Sequence, residues 1–163
     1  MIRSKINIES FIIVHALTFM LTIVFTFVII DDIKNFELLT FLKDIFLVSL
    51  LIFIWNFFFK IHTKIIITDQ YIVFKKFFKT YTINLEELDF CFEKLERSKY
   101  QTYNVLYLVS NNRIIERISS FDYSNYIEIK KAIKLLEYRH IKLSIFDIIR
   151  ILLGAKILIS GQK

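Results

Sequence analysis

At 163 residues the chain has room for about one ordinary domain, yet 55% of it is hydrophobic, 18 residues are Phe and the mean hydropathy is +0.51. Those values exclude a single soluble domain and call for lipid-facing surface. The formal charge is +6, and the excess of +7 lies on residues 60–163, where 18 Lys and Arg stand against 11 Asp and Glu, a balance suited to an anionic inner leaflet.

Two apolar blocks account for the oiliness. Residues 11–30 carry no charge, and residues 38–59 are apolar apart from Lys43 and Asp44. Each reaches roughly 30 Å at 1.5 Å per residue, about the hydrocarbon thickness of a bilayer. Spans are expected at about residues 9–30 and 38–59, within a hairpin of residues 1–60. The first is too long, and lacks the small-residue site, for a cleaved signal peptide. Arg3 and Lys5 precede the first block and Lys60 and Lys64 follow the second, while the connecting loop is acidic. The positive-inside rule therefore places both termini on the cytoplasmic side of an inner membrane.

Polar residues inside spans are costly, so they are informative. His15 and Asn56 lie at similar depth near the cytoplasmic ends of the two blocks. A hydrogen bond between them is expected to set the hairpin register. Lys43 and Asp44 are expected at the outer end, the lysine snorkelling and the aspartate pairing with it.

From residue 64 the periodicity turns from helical to alternating. KIIITD, YIVFKKFF, TYTI, LDFCFEKL, YNVLYLV and RIIERIS predict six antiparallel strands. In LDFCFE, Leu88, Phe90 and Phe92 are expected on a core face and Asp89, Cys91 and Glu93 on a wet one. Asn111-Asn112 is a two-residue hairpin turn, because Asn tolerates positive φ. A helix follows, capped by Ser124 or Asn125, with Tyr126, Ile129, Ile133 and Leu136 as its apolar stripe.

Two apolar helices followed by KIIITDQYIVF, INLEELDF and SSFDYSNYIEIKKAI resemble the bacterial pleckstrin-homology-like membrane proteins over about residues 11–138. The resemblance implies a fold of two parts, a membrane helical hairpin and an α+β domain at residues 61–138. That domain would be a small, partly open seven-stranded barrel capped by a C-terminal helix, without enzymatic activity. Lipid-binding members of the wider superfamily hold phosphates with basic residues in the first hairpin, where this chain has Asp69. Here the basic cluster is Lys75, Lys76 and Lys79 in the second hairpin. With Lys60 and Lys64 it forms the expected contact with headgroups, as point charges rather than forks.

Residues 139–163 lie beyond the resemblance. Over residues 141–160, Lys142, Asp147, Arg150, Gly154, Lys156 and Ser160 fill one half of a helical wheel and Ile, Leu and Phe the other. Three charges near the middle of a span would cost roughly 2.5–3.5 kcal/mol each, so an interfacial helix anchored by Lys142, Arg150 and Lys156 is expected. Packing over an apolar face of the barrel is the alternative.

His15, His62 and His140 are far apart and Cys91 is the one cysteine, so no metal site is expected. Two glycines provide no phosphate loop. No catalytic constellation, cofactor or nucleic-acid partner is expected. The expected role is a non-enzymatic membrane protein whose domain docks an unknown protein or neighbouring copies. The alternative is an antiphage effector in which a nucleotide second messenger gates membrane disruption.

Overall fold

The computed structural model describes residues 1–34, 37–61, 63–97, 101–133, 141 and 143–159, with nothing stated for the side chains of residues 57, 60 and 61. A two-residue strand, β1 (Ile2–Arg3), precedes two long helices, α1 (Ile8–Lys34) and α2 (Leu38–Ile61). Strands β2 (Lys64–Ile67), β3 (Tyr71–Lys75) and β4 (Thr80–Asn84) follow, then a 3-10 turn at Leu85–Glu87. Next come β5 (Phe90–Arg97), β6 (Thr102–Ser110), β7 (Arg113–Ser119), α3 (Tyr126–Ala132), α4 (Ile145–Leu152) and β8 (Ile157–Leu158).

The helices α1 and α2 are long and apolar enough to cross a membrane, and most of their described side chains are not buried. Ser10, Val14 and Thr18 are the buried residues of α1 among those described, whereas Ile12, Phe27, Leu39 and Phe46 are among many large side chains left exposed. Asn7 starts α1, its side-chain oxygen accepting from the Glu9 amide at 3.1 Å and its carbonyl from the Phe11 amide at 3.0 Å.

Within the hairpin, polar side chains turn to carbonyls one turn back. Thr22 bonds Thr18 at 2.7 Å, Ser49 bonds Ile45 at 2.8 Å, and His15 Nδ1 lies 2.7 Å from the Phe11 oxygen. This satisfies them without water. Asn56 does the same, donating to the Ile52 oxygen at 3.0 Å while exposed, so the expected His15–Asn56 bond does not form. The helices are instead bridged by Trp55, whose Nε1 donates to Thr22 Oγ1 at 3.2 Å. His15 faces the second helix through its ring, 4.6 Å from that of Phe58. At the loop end Lys43 pairs across the hairpin with Asp32, not with its neighbour Asp44 as expected.

Among the described residues the strands form two four-stranded antiparallel sheets, ordered β1-β2-β3-β4 and β5-β6-β7-β8, curled as a half-barrel around α3. The six expected strands are β2 to β7; β1 and β8 are additional and too short to show periodicity. Asn111 and Asn112 make the β6–β7 turn with φ of 52° and 55°. The inner core joins Ile65, Ile72, Phe74, Cys91, Leu106, Leu108 and Ile118 to Tyr126 and Ile129 of α3 and to Ile133 just after it. Leu136 of the expected stripe lies outside the described residues.

The alternation in β5 is real, but the assignment of faces is reversed. Cys91 is buried in the inner core and Glu93 reaches α3, whereas Phe90 and Phe92 lie in a second cluster on the outer face. The reason is the C-terminal segment. Ile141, Leu143, Ile151, Ile157 and Ile159 pack over Phe90, Phe92, Val105, Tyr107 and Val109, so residues 105–109 of β6 are buried on both faces. That segment is not one helix. Ser144 and Asp147 form a capping box that begins α4, and Gly154, with φ of 92°, ends it before β8 pairs with β7.

Candidate functional site

The turn between β7 and α3, residues 119–125, holds both roots of the helical hairpin. Asn125 Oδ1 accepts from the Lys5 amide at 2.7 Å and its Nδ2 donates to the Arg3 carbonyl at 2.9 Å. The Ser124 amide donates to Lys5, and the Asn7 amide donates to the carbonyl of Asp122, each at 2.9 Å. Tyr123 bridges to Ile6 and sends its hydroxyl to the carbonyl of Thr63, the residue that joins α2 to β2, at 2.7 Å. Ser4 and Ile65 close the loop, the Ser4 amide donating to Ile65 and Ser4 Oγ accepting from the Ile65 amide, both at 2.8 Å. One short turn thus ties the start of α1, the end of α2 and the sheet together. Asn125 precedes α3 as expected, but its side chain serves the N-terminal segment.

Beside this clamp lies a cavity of ≈ 70 Å³, lined by Thr63, Ile65, Phe74 and Lys76 on one side and by Glu116, Arg117, Asp122 and Tyr123 on the other. The turn after α4, through Gly154 and Ala155, forms its floor. Two charge networks border it. Arg117 lies 2.7 Å from Glu96 through Nη2 and 3.3 Å from Asp122 through Nη1, and Tyr107 donates its hydroxyl to Glu96. Glu116 reaches the first sheet, accepting from Lys76 at 2.6 Å and from the Tyr81 hydroxyl. Further round, Glu93 accepts from Tyr126 at 2.8 Å and Lys130 at 2.5 Å.

These environments set the ionisation. Burial alone would raise Glu96, but the Arg117 guanidinium bonded to it holds it below its ordinary value. Burial raises Asp122 to about 6, with Glu96 adding to the effect and Arg117 opposing it. Burial pushes Tyr81, Tyr107, Tyr123 and Tyr126 upward, and neighbouring carboxylates reinforce the shift, so their hydroxyls remain proton donors. The Cys91 thiol, raised by burial to about 12, is a core side chain and not a nucleophile.

The expected lysine cluster is divided. Lys75 and Lys79 are exposed at the β3–β4 turn and Lys64 is exposed at the start of β2. Lys76 turns inward to Glu116, lying 5.0 Å from the centre of the Tyr81 ring, and is not free for headgroups. Lys60 falls in α2 with its side chain outside the description, and Lys142 lies outside the described residues. Arg150 and Lys156 are exposed on α4 and the turn after it.

The residues that build this site, Glu96, Glu116, Arg117, Asp122 and Asn125, were not candidates in the sequence. Their one signal is the adjacent Glu116-Arg117 between the isoleucines of β7, which forces a charge onto each face. No protein-family model, no curated protein and no solved structure matches the chain.

Proposed function

We propose that the chain is a non-enzymatic two-span membrane protein whose pleckstrin-homology-like β domain serves as a fixed docking or self-assembly platform at the cytoplasmic face of a bacterial inner membrane. The observation that carries this reading is the clamp: both hairpin roots are bonded to one turn of the sheet domain. A domain so held gains nothing from membrane recruitment. It presents a surface in a constant orientation, and exposed Lys64, Lys75 and Lys79 face the leaflet headgroups. The exposed side of α4, with Ile145, Phe146 and Leu153 beside Arg150 and Lys156, serves as an interfacial contact.

The titratable groups of the domain support a structural role. Glu93, Glu96 and Glu116 are each engaged with a cation and a tyrosine, and Asp122, which lines the cavity with Glu116, is paired with Arg117. The effector reading needs a nucleotide pocket, and ligand pockets run to roughly 300–1,000 Å³ against the ≈ 70 Å³ here.

The test is extraction in a mild detergent followed by mass determination with identification of co-purifying proteins. A multiple of the 19.6 kDa chain, or a stoichiometric partner, is expected. A lone monomer whose melting temperature rises with cyclic nucleotides would overturn the reading in favour of the gated effector.

A further inference from the structure

Phe77 and Phe78, at the tip of the β3–β4 turn, are 66% and 80% exposed. Two adjacent phenylalanines left open on a small β domain need a covering partner. Their rings contact one another at 4.8 Å and both contact Phe59, near the end of α2, at 5.0 and 5.3 Å. Phe59 in turn joins Phe58 and Trp55, so the turn extends the aromatic end of the helix sideways. Residues 71–85 contain no carboxylate, and exposed Lys75 and Lys79 flank the pair.

We propose that the β3–β4 turn is a third membrane contact, with Phe77 and Phe78 embedded in the interfacial layer of the leaflet from which α2 emerges and Lys75 and Lys79 at the level of its phosphates. The occupant is lipid, because the rings continue the aromatic belt of the span and their flanking charge matches an anionic leaflet. The internal Lys76–Glu116 pair fastens the same turn to the second sheet. The wedge therefore sets the tilt of the whole domain on the membrane. The inference rests on α2 crossing the bilayer.

Trp55 is the one tryptophan in the chain, so Trp55→Phe, which keeps an aromatic ring beside Phe59 but gives up the bond to Thr22, gives a background without tryptophan emission, and its helix pairing is checked first by cross-linking. The full chain carrying Trp55→Phe with Phe78→Trp is reconstituted into vesicles of phosphatidylcholine and phosphatidylglycerol, with acyl chains brominated at a shallow or a deep position. Blue-shifted emission is expected, with a greater loss of intensity to shallow than to deep bromines. Phe77→Trp in the same background is expected to behave alike, which guards against one misfolded variant. Water-like, unquenched emission in protein that still floats with the vesicles after a carbonate wash would overturn the proposal alone. Release of the chain by carbonate would overturn it together with the spanning reading beneath it.

Discussion

Arg117 is the residue on which the second sheet's polar interior depends. It and Glu96 are 14% and 15% exposed at the side chain, and breaking such a buried pair leaves an uncompensated charge. Arg117→Met is expected to destabilise the domain by about 3–5 kcal/mol, measurable as a lowered thermal midpoint in detergent. Asp122 contributes with the opposite pH sense. Its folded pKa of about 6 exceeds the ordinary aspartate value of 3.8, so between those values the folded state binds the extra proton. Its penalty on stability is complete above pH 6 and is relieved as pH falls towards 4. Glu96, held below its ordinary value, stabilises above that value, and its contribution is lost as pH falls through the lowered one. A rise in thermal midpoint from pH 7 to pH 5 is expected, with the slope flattened in Asp122→Asn. A slope unchanged by that substitution would assign the titration to another group.

At the scale of elements, the hairpin and the C-terminal segment make different predictions. Trp55–Thr22 is the polar bridge inside the apolar part of the hairpin, apart from the Lys43–Asp32 pair at its loop end, and interhelical bonds of this kind are worth about 0.6–2 kcal/mol in a membrane. Thr22→Val is expected to weaken helix pairing by that amount in a detergent cross-linking assay, while Asn56→Leu leaves pairing unchanged. The α4 segment is a lid over apolar strands, anchored by buried Ile151. Ile151→Ala is expected to cost about 2–5 kcal/mol and to increase protease cleavage near residues 141–159. Both elements show how far patterning reaches. The apolar runs of α1 and α2 and the alternation of β2 to β7 were legible because hydrophobic period follows directly from backbone geometry. Which face of β5 is inner was not, because an outer face that is also buried reads as apolar as a core face.

At the scale of the whole molecule, residues 119–125 bond both hairpin roots to the sheet domain. Asn125→Leu removes two side-chain bonds to the N-terminal segment, each worth about 0.5–1.5 kcal/mol net and more when a buried partner is left unpaired. Amide exchange at Lys5 and Asn7 is expected to accelerate roughly 10-fold or more, with the core amides of β6 unaffected. Uniform acceleration would mean global destabilisation instead of a loosened clamp.

By itself the sequence determined the apolar hairpin, the succession of short antiparallel strands, the Asn111-Asn112 turn and the core positions Tyr126, Ile129 and Ile133, since each depends on residues close together in the chain. The tertiary structure alone decided the charge networks, the partners of Lys76 and Asn125, the lid made by residues 141–159, and the clamp. Each of these joins groups far apart in sequence, such as Arg3 with Asn125 and Lys76 with Glu116. Local spacing carries no record of which distant carbonyl or carboxylate a buried polar group will meet; only the folded path of the chain brings them within hydrogen-bonding distance.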